Sequence, residues 1–239
     1  IKLHFEPTIS QLEGQLGQYL ISDMRFDQGK LKRGVISYDH DLVMPDQDIL
    51  VVSASLPTID FSLWQPLRDW FDQKPKATNT VKTIFDLQLA QWKFSELQLS
   101  DISARITPMI YGFDAVFTSD LADGSVSLFR DAAQPPKISL NRLWLPNNVG
   151  GNSASLDPRQ LMATDFSVDS LSIADQDLGS LSFELRPEPS GASFNNISGN
   201  IFGLSSAIYS SEAPTEFFWG YDGQTHISKL VGPIGVNNI

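Results

Sequence analysis

The stretch Val81-Lys82-Thr83-Ile84-Phe85-Asp86-Leu87-Gln88-Leu89 decides the fold class. Val81, Phe85, Leu87 and Leu89 share one parity, and Lys82, Asp86 and Gln88 share the other. Successive side chains of a strand point to opposite faces, so this alternation sets an apolar face against a polar one. Ile84 is the exception, an apolar residue on the polar side. The same period returns in Leu181-Ser182-Phe183-Glu184-Leu185-Arg186, in Leu97-Gln98-Leu99, and over 113–118, 125–129, 138–145 and 217–221. Between Phe166 and Ile173 the phase changes: Phe166 and Val168 are even, Leu171 and Ile173 odd. One extra residue near Asp169-Ser170, a β-bulge, returns them to a common face and bends the strand.

One segment reads as helix. In Ser62-Leu63-Trp64-Gln65-Pro66-Leu67-Arg68-Asp69-Trp70-Phe71 the apolar positions 63, 64, 67, 70 and 71 fall on one helical face. Ser62 with Gln65 fits a capping box, Pro66 sits in the first turn, and Pro75 ends the segment. This predicts a helix over 62–72 in a chain that is otherwise mainly antiparallel β, with one or two short helices. Polar segments at 73–80 and 146–155 divide the chain into 1–72, 73–146 and 147–239. The last two parts resemble each other: a Phe-led strand (Phe85, Phe166), an apolar strand after it, then a Gly-containing turn and more strands. The reading is the end of one β repeat with its terminal helix, a second repeat, and a truncated third. Such repeats stack on their neighbours, giving one continuous sheet rather than independent domains.

Composition narrows the function. Of the 239 residues 41% are hydrophobic, too many for a solvated disordered chain. A net charge of −11 argues against nucleic acid, which needs a basic stripe to displace counterions, and against docking on anionic membrane surfaces. With no cysteine there is no disulfide framework, no thiolate nucleophile and no Cys-ligated zinc. No run approaches the ~18–20 apolar residues of a transmembrane helix, so any anchor lies outside this stretch.

Candidate chemistry is sparse. His4, His40 and His226 have no metal spacing, and Asp39-His40-Asp41 reads as a solvated turn. Asp46-Gln47-Asp48 and Asp175-Gln176-Asp177 lack the continuation of a calcium loop and read as turns. Glu184, Glu188 and Glu216 show no pairing suited to glycoside hydrolysis and read as solvent-facing charge. There is no G-x-S-x-G, no Walker loop and no G-x-G-x-x-G. The expectation is a non-enzyme without metal or cofactor. Fifteen phenylalanines remain, which either fill a sandwich core or line an open apolar face.

The strand Val52-Ser53-Ala54-Ser55-Leu56-Pro57-Thr58-Ile59-Asp60-Phe61-Ser62-Leu63 runs into Trp64 near the start of the helical segment. The last third carries Leu171 to Leu181 with Leu178-Gly179 at its turn, then Gly191 to Gly199, Phe218-Trp219 and Thr225. From about residue 50 onward this series resembles the C-terminal part of the YhdP-type proteins of the Gram-negative envelope, within the AsmA-like group; residues 1–48 are less diagnostic. The resemblance implies a strongly curved sheet forming an elongated groove. It also implies a periplasmic location, with an inner-membrane anchor in a missing N-terminal helix and neighbouring repeats of a longer chain as partners. The function it implies is the binding and conduction of phospholipid acyl chains between inner and outer membranes. It carries no catalytic motif. The strand alternation matched to a groove face gives Val81, Phe85, Leu87, Leu89, Leu97, Leu99, Phe113, Leu181, Phe183 and Leu185 as lipid-contacting residues. The alternative is a structural or carbohydrate-binding β-sandwich module without lipid.

Overall fold

The computed structural model describes residues 2–3, 10–60, 81–94, 97–131, 133–146, 157–174, 176–201, 204–206, 216–221, 225–231 and 235–236. The chain forms two compact units, 1–120 and 121–239. Both are built almost wholly of strands in open, curved sheets. The helix expected over 62–72 lies outside the described residues, as do the boundaries expected at 72/73 and 146/147.

The first unit contains β1 (Lys2–Leu3), β2 (Gln11–Leu16), β3 (Leu20–Asp27), β4 (Lys30–Tyr38), β5 (Ile49–Asp60), β6 (Lys82–Phe94), β7 (Leu97–Met109) and β8 (Gly112–Thr118). Each strand pairs with its predecessor in the chain. The second unit contains β9 (Ala122–Phe129), β10 (Lys137–Leu145), β11 (Thr164–Ile173), β12 (Gln176–Glu188), β13 (Gly191–Ile201), β14 (Leu204–Ser206), β15 (Glu216–Tyr221), β16 (Thr225–Val231) and β17 (Gly235–Val236). Its order is also sequential, except that β13 pairs with both β14 and β15, and β14 with β17.

Most pairings are antiparallel, but β4–β5, β5–β6 and β10–β11 are parallel. A parallel neighbour requires the chain to return to the starting end of the sheet. The connections 39–48, 61–80 and 146–163 have the length to do so, whereas tight turns join the antiparallel pairs. The series "parallel pair, then two antiparallel neighbours" occurs as β5-β6-β7-β8 and again as β10-β11-β12-β13.

The predicted bulge is present. Opposite β12 the register slips between Val168 and Leu171, and both are buried, at 2% and 9% exposure. Further slips occur at Arg25/Phe26, Leu140/Arg142, Ser182/Glu184 and Phe218/Trp219. Each adds local twist, and together they bend the sheets. Close strand approach also demands glycine at particular points. At Gly199, with φ of 152°, an added Cβ would lie 2.1 Å from the carbonyl oxygen of Ser180 on the neighbouring strand.

Candidate functional site

Residues paired across strands share a face, so the registers assign every side chain to one side of its sheet. In the first unit one row runs Ser22–Ile36–Val52–Phe85–Ile106–Ala115 across β3 to β8. The row beside it runs Leu16–Leu20–Tyr38–Ala54–Leu87–Ala104–Phe117 across β2 to β8. Neither row holds a charged residue. Their members are half-buried, or exposed at Leu16 and Tyr38. At ~4.8 Å between strands, the stretch from Ile36 to Ala115 is about 19 Å long.

The opposite face behaves differently. Val35 pairs with Val51, and Val51 with Ile84, while Ser37, Ser53, Asp86 and Arg105 form the adjacent row. Val35, Ser37 and Ser53 are 1%, 0% and 5% exposed. The connection 39–48 passes over this side. Beneath it lies a cleft of about 410 Å³ between Val43, Pro45 and Asp46 on the loop and Val51, Ile84 and Arg105 on the sheet. Ser37 Oγ donates to the His40 carbonyl at 2.5 Å, and His40 Nδ1 lies 3.3 Å from Ser55 Oγ, which ties the loop down. Ile84 therefore has its own apolar partners on this covered face, which explains why it breaks the alternation. Arg105 makes a two-pronged ion pair with Asp86 at 2.7 and 2.9 Å, and that hydrogen bond and charge raise the guanidinium pKa above its ordinary value.

In the second unit the equivalent apolar side carries a ladder of rings. Phe166 on β11 stacks on Phe183 on β12 with centroids 5.0 Å apart. Phe183 meets Phe194 on β13, and Phe194 meets Phe217 on β15, both at 5.3 Å with planes at 60°. Such offset and tilted pairs add ~0.5–1.5 kcal/mol each beyond their buried area. Val126 and Ile138 extend the row onto β9 and β10, and Leu140, Val168 and Leu181 form the next row. On the reverse side, Ser125, Ser139, Ser167, Ser182 and Ser198 follow one another across five strands, with Ser182 and Ser198 hydroxyls 2.6 Å apart. Two further groups border the unit. The 3-10 turn Pro158–Gln160 packs against β12, β13 and β15, with Arg159 4.4 Å over the Tyr221 ring. Asp123 is paired with Arg142 at 2.9 Å and with Asn141 at 3.0 Å, and these hydrogen bonds hold its carboxyl below the usual range.

Leu99 apart, the sequence-predicted residues with described side chains fall on two faces, one in each unit. Phe85, Leu87 and Leu89 share the apolar face of the first, and Phe113 joins them, paired with Pro108 two positions from Ile106. Val81 precedes β6 and is half-buried. Leu99, 8% exposed, pairs with Trp92 in an unbroken register and so lies on the side of the sheet away from Leu89 and its partner Ile102, not on the expected apolar face; Asp101 between them has φ of 51°. Leu97 is described only as the first residue of β7. Leu181, Phe183 and Leu185 line the second unit's face, all half-buried. Phe166, Phe194 and Phe217 belong to the same ladder but were not among the predicted residues. Alternation within each strand marks an apolar face, but only the registers show that the rings adjoin.

A family model for the YhdP protein matches residues 1–209. The chain belongs to the YhdP family. The YhdP match includes residues 1–48, which the sequence resemblance left aside, and stops short of Phe218-Trp219 and Thr225, which it had used. No curated protein and no solved structure matches the chain. YhdP membership suggests a bacterial envelope protein of the lipid-transport type. Among the described residues no helix is long and apolar enough to cross a membrane, and no three His, Asp or Glu side chains converge as metal ligands would.

Proposed function

We propose that each unit holds phospholipid acyl chains against its apolar face, as part of a periplasmic path between inner and outer membranes, without catalysing a reaction. The observation that carries this reading is the pair of uncharged rows on the uncovered side of the first unit, where Ile36, Val52, Phe85 and Leu87 are only half-buried and burial deepens toward Leu89 and Ile102, at 9% and 5% exposure. A sheet face this apolar needs a cover, and large exposed apolar patches mark binding surfaces. Acyl chains suit it because burial is worth about 0.8 kcal/mol per CH₂ and has no preferred direction, so a chain is retained yet free to slide. Uncharged rows set no clamp against that sliding.

The test is a photo-crosslinker placed on either side of one strand. At Phe85 or Leu87 it is expected to label phospholipid in cells; at Asp86 or Gln88 it is not. Crosslinks from Phe85 to protein alone, with sugar binding on a glycan array, would replace this reading with a packed β module.

A further inference from the structure

The phenylalanine ladder of the second unit runs between two borders that are already buried. On β12 the residues on the ladder side are Leu181, Phe183, Leu185 and Pro187, and the registers extend each into a row across neighbouring strands. The Leu181 row includes Leu140 and Val168, both buried. The Phe183 row includes Val126, Ile138 and Phe166, and the Leu185 row includes Phe194 and Phe217; all of these are half-buried. In the Pro187 row, which includes Ala192 and Trp219, burial returns: Ala192 is 0% exposed.

Ala192 lies under the chain's own 3-10 turn. The turn Pro158–Gln160 packs against β12, β13 and β15, and Pro158 is fully buried. Its place on the ladder side follows from Arg159, whose guanidinium lies over the Tyr221 ring. Tyr221 has the parity of Phe217 and Trp219 along β15 and so shares their face. Asp157 holds the turn in shape, accepting from the Arg159 backbone N–H at 3.0 Å and from its Nη2 at 2.7 Å. Pro158 suits the covered position, because it brings a fixed φ and no N–H to leave unsatisfied.

From this we infer that the 157–160 turn is a stop that confines acyl chains on the second unit to the strip formed by the Phe183 and Leu185 rows, where they lie across the strands and along the rings. The inference rests on the acyl-chain reading above. The strip crosses β9, β10, β11, β12, β13 and β15, so it is about 24 Å long at ~4.8 Å per step. An acyl chain spans half of a ~30 Å hydrocarbon core, about 15 Å, and fits that length. In the strand direction the surface between the Val168 row and the turn is two rows deep, about 13 Å at ~3.3 Å per residue, which is too short for the chain.

The chain has no cysteine, so single thiols can be introduced cleanly. Ile138→Cys and Leu185→Cys place one at either part of the strip, and Ala192→Cys places one under the turn. Each protein is mixed with detergent-dispersed phosphatidylglycerol carrying a maleimide at the end of one acyl chain, and labelling is followed by intact mass. Ile138→Cys and Leu185→Cys are expected to be labelled at least tenfold faster than Ala192→Cys. With Pro158→Gly and Arg159→Ala added, Ala192→Cys is expected to approach the rate of Leu185→Cys in a protein that still melts cooperatively. Pro187→Cys, in the same row, and Arg159→Ala alone give the same reading where the first variants do not fold. Equal labelling of Ala192→Cys and Leu185→Cys with the turn intact, or an Ala192→Cys that stays protected once the turn is altered, overturns the stop and leaves the acyl-chain reading standing. No labelling at Ile138→Cys or Leu185→Cys removes that reading, and the stop with it.

Discussion

Leu87→Asp separates an open apolar face from a closed core, provided it is measured beside Val35→Asp. Leu87 is half-buried, flanked across the strands by Ala54 and Ala104. Full burial of a leucine is worth ~1.5–3 kcal/mol, so about half of that, roughly 1 kcal/mol, is lost when the side chain goes. The new carboxylate remains hydrated between two alanines and adds little. For a unit of this size the melting temperature should fall by about 3–8 °C. Val35 is 1% exposed beneath the loop 39–48. There the same substitution strands an unpaired charge, at several kcal/mol on top of the lost apolar contact. That rivals the ~5–15 kcal/mol that holds a domain together, so the first unit should unfold. The assay is a circular-dichroism melt of both variants, with organic extraction and mass spectrometry of co-purified lipid. Leu87→Asp is expected to melt cooperatively and lose phospholipid. If it unfolds the unit as thoroughly as Val35→Asp does, the face is a closed core and the reasoning fails.

Further expectations concern the second unit and its charges. Gly199→Ala should cost more than about 1 kcal/mol, read from chemical denaturation, because φ is positive and the methyl meets the Ser180 carbonyl oxygen. Phe183→Ala removes the ring that touches both Phe166 and Phe194, and should both lower stability and weaken lipid recovery; unchanged lipid recovery would remove the ladder from the site. The Asp123 carboxyl is depressed by its bonds to Arg142 and Asn141, so its stabilising contribution is present above the unfolded carboxylate value of ~3.9 and is lost as pH falls through the lower folded value. Arg142→Ala should move the Asp123 NMR titration upward toward that value, with only a small change in stability because the pair is largely exposed.

Much of the fold is legible in alternation, because side-chain parity is a local property. The bulge at 169–170 follows from a parity change alone, and Ile84 announces a second apolar contact before its partner is known. The parallel pairings are not legible, since nothing in β5 or β6 states whether the chain returns to the same end before pairing. The alternation also misleads near Leu99: Leu97-Gln98-Leu99 reads as one more stretch of the same face, but the register pairs Leu99 with Trp92, on the side away from Leu89. The phenylalanine ladder is the main omission. Consecutive members among Phe166, Phe183, Phe194 and Phe217 are up to 23 positions apart in the chain, and only the registers bring successive rings within 5.3 Å.

Pairing between chain neighbours makes the first unit behave as a ruler. Each interior strand is held by its predecessor and its successor, and among the described residues none closes a ring. Removing one hairpin shortens such an array by about 9.6 Å and leaves the remaining ladders intact; adding one lengthens it by the same step. Span can then evolve by duplication in small increments, without redesigning a core. The same topology has a mechanical side: pulled from a terminal strand, the array should yield rung by rung in a series of low, similar force peaks, not in a single all-or-none rupture.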